Sequence, residues 1–219
     1  MRPKAIILDF DGVVVDSLPV HLAAWSAAVQ AVFGRPLADP ATLKGHATRT
    51  IAHMLCRRVG DVGQVGALIH AKESFIQENL DRIELLPGTR AFITLLAACG
   101  LPHGIASNSP RPFVTSLLAR TGLVVPALVT GSDVSRGKPQ PDIFWECANR
   151  LGLTPHDRSA VAVFEDSVHG LAAAQAAGMI PIGVATEQTP AVLLSAGARL
   201  ACANLGEALA AGWIENLPL

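Results

Sequence analysis

Short apolar runs alternate with longer amphipathic stretches along most of this chain. Runs at 5–8, 103–106, 127–130, 161–164 and 181–185 have the length and the flanking turn residues of strands. From residue 86 onward the segments between them carry apolar residues at helical spacing. Strand–helix alternation predicts an α/β fold, a Rossmann-like parallel sheet with helices on both faces. Gly100 after AFITLLAAC, Gly152 after WECANRL and Gly178 after LAAAQAA each sit where a helix commonly ends in a left-handed residue. Between the first and second runs the alternation breaks. Residues 16–85 hold three helix-like patterns, HLAAWSAAVQAVF, RTIAHMLCRRV and VGALIHAKESFIQENL, and no strand pattern. The expected organisation is a core of 1–15 and 86–219 interrupted by a small helical insertion at 16–85. Gly60, Gly63 and Gly66 are expected in an interhelical loop. Beyond Thr186 the pattern predicts a short helix, an edge element and a terminal helix.

Candidate chemistry collects where the strands should end, which in an open parallel sheet is the ligand-binding side. The first run ends in IILDFDGVVVDS, with Asp9 and Asp11 two residues apart and Gly12 behind them. Alternate residues of a strand face opposite ways, so the two carboxylates converge only if the strand stops and the chain turns, as Gly12 permits. Close carboxylates repel unless a cation or a proton intervenes. Ser107 closes the second run in ASNS, Lys138 sits in GKPQPD ahead of a helical pattern, and Glu165 and Asp166 end the run VAVFEDS. Taken singly, each has a plainer reading: a solvated acidic turn, a turn serine, a surface lysine, or an acidic cluster favoured by a helix N-terminus. A lysine ahead of a helix faces the positive end of the dipole, and an anion between them removes that conflict.

In this order the four segments, DxDGxxxDS, the strand-end serine, GKPxPD and the acidic pair, resemble the haloacid dehalogenase superfamily. The resemblance is strongest to its beta-phosphoglucomutase-like branch of sugar phosphatases and mutases, and it runs over almost the whole chain. It implies a core of that family's type with the insertion as a helical cap. It also implies Asp9 as nucleophile and Asp11 as the acid and base. Mg²⁺ would be held by Asp9, Asp166 and the backbone carbonyl of Asp11, with Glu165 close by. Phosphoryl oxygens would meet Ser107, Lys138 and N–H groups near Gly12 and Asn108. In the insertion, Lys44 and Arg49 of KGHATR resemble the family's substrate loop, and His21 a hinge histidine; a solvated loop and a core histidine are the alternatives. Mutases of this branch carry a lysine soon after the strand-end serine, whereas this chain reads Ser107-Asn108-Ser109-Pro110-Arg111. That difference ranks a Mg²⁺-dependent phosphatase of a small sugar or polyol phosphate ahead of a phosphomutase. A non-catalytic phosphometabolite binder ranks lower, since the Asp9/Asp11 pair is intact. A dehalogenase needs neither Asp11 nor a metal.

Composition narrows the partners. The 219 residues are half apolar, enough to bury a substantial core, and the net charge of −1 lacks the basic field that drives nucleic-acid binding. The apolar stretch from Ala5 is cut short by Asp9, and no run approaches the roughly 18 to 20 apolar residues of a spanning helix. These features predict a cytoplasmic protein without nucleic-acid or membrane partners; the resemblance implies a small phosphorylated metabolite as substrate, and a monomer or homodimer is expected. Cys56, Cys99, Cys147 and Cys202 stand singly and are expected to be buried thiols.

Overall fold

The computed structural model describes residues 2–43 and 48–218. The chain divides into two compact units, residues 1–16 with 85–219 and residues 17–84. It opens with β1 (Ala5–Leu8) and β2 (Val15–Asp16), passes through α1 (Leu18–Phe33), α2 (Thr48–Val59) and α3 (Val65–Glu78), and returns at β3 (Glu84–Leu85). There follow α4 (Thr89–Ala98), β4 (His103–Ser107), α5 (Arg111–Thr121), β5 (Ala127–Thr130), α6 (Asp142–Arg150), β6 (Val161–Glu165), α7 (Val168–Ala176), β7 (Ile180–Val184), α8 (Pro190–Ser195), β8 (Leu200–Cys202) and α9 (Leu205–Ala210).

In the first unit six strands form one parallel sheet in the order β5-β4-β1-β6-β7-β8. Strand β1 is central, with Ile7 opposite Gly104 of β4 and Val163 of β6. Its four residues are all fully buried, which explains why they read as a continuous apolar run rather than an alternating one. Ala5, Ile7, Val161 and Val163 pack with Ile143, Phe144 and Cys147 of α6 and Ala173 and Ala174 of α7. Phe164 instead meets Phe92 of α4, ring centroids 5.4 Å apart. Helices therefore cover both faces, and the site-bearing turns emerge from the carboxyl edge. Gly100, Gly152 and Gly178 take left-handed backbone at the expected helix ends. In the tail, the expected short helix, edge element and terminal helix correspond to α8, β8 and α9.

The second unit packs Trp25 and Val29 of α1, Ile51, Leu55 and Cys56 of α2, and Val65 and Leu68 of α3 around one small core. Two details differ from the sequence reading. Gly66 lies inside α3 rather than in a loop, because Asp61 closes a tight turn by accepting the Gly63 N–H and the helix starts at Val65. The chain also crosses between the units through β2 and β3, which pair as a two-stranded ribbon. Strands of two residues are too short to display a period of two. No described helix is long and apolar enough to cross a membrane.

All four cysteines are free, and Cys56, Cys147 and Cys202 are buried. Burial pushes the Cys147 and Cys202 thiols up to about 12. Only the thiolate attacks disulfides. A thiol titration of the native protein with an aromatic disulfide reagent at pH 8 should therefore count one reactive cysteine, Cys99, and four after denaturation.

Candidate active site

Strands β1 and β6 are neighbours whose onward connections run in opposite directions across the sheet, which makes the gap beyond their ends the topological switch point. Asp9 follows β1 and stays in line with the sheet, its N–H donating to Phe164 O of β6 at 2.9 Å. Glu165 and Asp166 end β6 beside it. Ligand atoms from Asp9, Glu165 and Asp166 all lie within 4.8 Å of one another, and all three residues are buried. From the loop ahead of α6, Lys138 reaches in. Its Nζ is 2.5 Å from Asp9 Oδ1 and ion-paired with Glu165, and its side chain is 5% exposed. The anions that a lysine in this position calls for are these two carboxylates.

Beyond Asp9 the chain turns tightly, with Val14 N–H and Val15 N–H both donating to Phe10 O and Gly12 N–H to Val15 O. Gly12 adopts φ +76°, and a Cβ there would overlap the Asp166 carboxylate. Both facts require glycine. Glu165 is seated by a similar device beneath α7. Ser167 Oγ donates to Glu165 Oε2 at 3.1 Å and accepts the Gly170 N–H, and a side chain at Gly170 would collide with the Glu165 carboxylate.

Asp11 adds to the repulsion on Asp9 and is directed toward the serines beyond β4. Its carboxylate accepts from Ser109 Oγ at 2.6 Å and from Ser107 Oγ at 3.4 Å. Ser107 lies at the end of β4, where it faces Asp11 and accepts the Ser109 N–H. The side-chain amide of Asn108 is paired with the Lys138 backbone, accepting its N–H at 2.9 Å and donating to its carbonyl at 3.3 Å. Asn108 thereby fixes the loop that delivers the lysine. Two hydroxyls that sequence reasoning did not single out complete the arrangement: Ser109, and Thr186 beyond β7, which donates to Gly12 O at 2.6 Å and lies 3.4 Å from Asp166 Oδ2. No local pattern marks Thr186, because its partners are far away in sequence. His21 sits in the first turn of α1 and Arg49, exposed, in α2, both in the second unit, while Lys44 lies outside the described residues.

Arg111 is committed elsewhere. One of its amino groups bonds both oxygens of Asp133 at 2.6 Å. Burial alone would raise Asp133, but hydrogen bonds from Arg111 and from the hydroxyl and N–H of Thr130, with the Arg111 charge, hold it below the usual carboxylate range.

Fully ionised, three carboxylates against one ammonium would leave the cluster negatively charged. Burial, followed by repulsion from Glu165, raises the Asp9 carboxyl to about 8 against the pull of Lys138. Burial and repulsion from Asp9 and Glu165 raise Asp166 likewise. Burial would lower Lys138, but attraction to Asp9 and Glu165 outweighs it and the net shift is upward. A compact all-oxygen donor set with surplus negative charge, reached by a backbone turn with no Cβ in the way, fits a small hard divalent cation.

The haloacid dehalogenase-like hydrolase model matches residues 3–178, and the chain belongs to that family. It is 31% identical over 193 residues to hexitol phosphatase A of Escherichia coli (strain K12), covering 87% of each chain. It is 29% identical over 198 residues to the beta-phosphoglucomutase of Bacillus subtilis (strain 168), covering 84% of each. The crystal structure of a hydrolase from Pseudomonas syringae has a TM-score of 0.81 to this chain at 25% identity, covering 97% of this chain and 99% of that one.

An unfolded aspartate titrates near 3.9, so without a cation the folded protein holds the Asp9 proton more tightly than the unfolded chain does. The contribution of Asp9 to stability is then fully present at low pH and is lost as pH rises from about 4 through about 8. A bound divalent cation cancels that loss. Saturating Mg²⁺ should accordingly raise Tm by about 5 °C or more at pH 8 and by clearly less at pH 5. Differential scanning calorimetry at both pH values checks this, and an equal or larger gain at pH 5 contradicts it.

Proposed function

We propose that this protein is a Mg²⁺-dependent phosphatase of a small phosphorylated metabolite, of the sugar or polyol phosphate kind, working through an aspartyl-phosphate on Asp9. The observation that carries the proposal is the Asp9 carboxylate, buried, 2.5 Å from Lys138 Nζ and grouped with Glu165 and Asp166. Family membership and the likeness to hexitol phosphatase A support it. In this reading 1–15 and 86–219 form the phosphotransferase core and 16–85 the helical cap, and His21, Lys44 and Arg49 are candidate substrate-binding residues.

Asp9 and Asp166 would hold the ion together with the backbone carbonyl of Asp11, with Glu165 behind them, tied to Lys138 and Ser167. When bound, Mg²⁺ supplies the positive charge that lets an anionic carboxylate approach an anionic phosphate. An Asp9 oxygen forms a bond to phosphorus as the bond to the substrate alcohol breaks, and protonated Asp11 gives its proton to the departing oxygen. Water then attacks phosphorus, Asp11 takes a proton from it, and the bond to Asp9 breaks to release inorganic phosphate. Lys138 stabilises the transferring oxygens, with the Ser107 hydroxyl and N–H groups around Gly12 and Asn108 as further donors.

The Arg111–Asp133 pair favours a phosphatase over a mutase. A mutase must hold a bisphosphate in two orientations, and the cation that follows the strand-end serine here is already bound bidentately to an acid.

Phosphate release from a panel of sugar and polyol phosphates should require Mg²⁺, stop on addition of EDTA, and fall by roughly 10³-fold or more in Asp9→Asn. Metal-independent turnover, or wild-type activity in that variant, would contradict the mechanism. With beta-glucose 1-phosphate and its 1,6-bisphosphate, phosphate release should outrun formation of glucose 6-phosphate. The reverse order would make the protein a mutase.

A further inference from the structure

We infer that Ser109 is a positioning residue for proton transfer, holding the Asp11 carboxylate in the orientation from which it serves the leaving oxygen and the attacking water. The inference deepens the reading of Asp9 as nucleophile and Asp11 as proton carrier, and rests on it.

The Ser109 hydroxyl donates to Asp11 Oδ2 at 2.6 Å, within the short range of a hydrogen bond to an ionised oxygen. Ser107, the residue that the strand end advertises, is 3.4 Å from the same oxygen. Ser109 is therefore the tighter partner, although it lies two residues past the strand. Its own backbone is fixed on both sides. The Ser109 N–H donates to Ser107 Oγ at 3.0 Å, the Ser109 carbonyl accepts from Gly131 N–H beyond β5 at 3.3 Å, and Pro110 then leads into α5. A hydroxyl anchored between two strand ends turns a carboxylate on a six-residue turn into a group of defined direction. Asp9 owes its placement to the sheet and Lys138, so Ser109 acts on one of the two aspartates only.

The two chemical steps separate the roles. With p-nitrophenyl phosphate, the first step forms the Asp9–phosphorus bond and breaks the bond to nitrophenolate, which departs as a stable anion and has little need of a proton. Because that departure needs no proton it proceeds with Asp11 ionised, and in the second step a water–phosphorus bond forms, the Asp9–phosphorus bond breaks and the ionised Asp11 takes the water proton. Rapid-quench kinetics of the Mg²⁺-loaded full-length protein should show, for Ser109→Ala, phosphate release slowed about tenfold or more. The nitrophenolate-release rate constant should stay within about twofold of wild type, so a burst appears or grows. Ser109→Thr, which keeps the hydroxyl, should restore phosphate release.

Equal slowing of both steps in Ser109→Ala, unchanged phosphate release, or a Thr variant no better than the Ala variant would each overturn the inference while leaving Asp9-dependent turnover standing. Absence of Asp9-dependent turnover in the wild type would instead remove the proposed function and this inference with it.

Discussion

Mutual repulsion among Asp9, Glu165 and Asp166 is the constraint around which the rest of the first unit is arranged. Three buried carboxylates drawn together are costly, and a single lysine offsets only part of that cost. The protein meets it by placing the acids at the end of a parallel sheet, where Lys138 enters from one side and hydroxyl groups from the others. What remains is a negative site suited to a small cation. A site of this kind sacrifices some stability for function, and the raised Asp9 and Asp166 carboxyls are the electrostatic mark of it.

The positions of the acids depend as much on missing atoms as on present ones. Gly12 and Gly170 lie where a Cβ would run into Asp166 and Glu165 respectively. Around them, Ser107, Ser109, Ser167 and Thr186 form a collar of hydroxyls, each bonded to a carboxylate or to the turn that carries one. Asn108 does the same for the lysine through the Lys138 backbone. Long, flexible side chains would lose more rotamer freedom in this role than short ones do.

The likeness to a hexitol phosphatase and to a beta-phosphoglucomutase reflects a core that serves both kinds of relative. In this chain the first cation after β4 is turned toward Asp133, which also binds Thr130 and Arg150, so it helps to tie α5 and α6 to the end of β5. Its chemistry is structural, and that agrees with hydrolysis as the chain's activity.

The amino-acid sequence by itself determined the alternation of buried strands and amphipathic helices, because a fully buried parallel strand must be apolar throughout and a surface helix must repeat every 3.6 residues. It also determined which residue types end the strands, and through their order the family. Very short elements escaped it: the ribbon of β2 and β3 has too few residues to show a period, and the start of α3 at Val65 follows from a side-chain bond made by Asp61. Only the tertiary structure decided that Asp9 joins Glu165 and Asp166 while Asp11 turns to Ser109, that Arg111 pairs with Asp133, and that Thr186 secures Gly12. Direction is what local sequence leaves unspecified. A side chain's orientation is set by partners that here lie 98 and 174 residues away along the chain, and those partners meet only once the sheet has closed the distance.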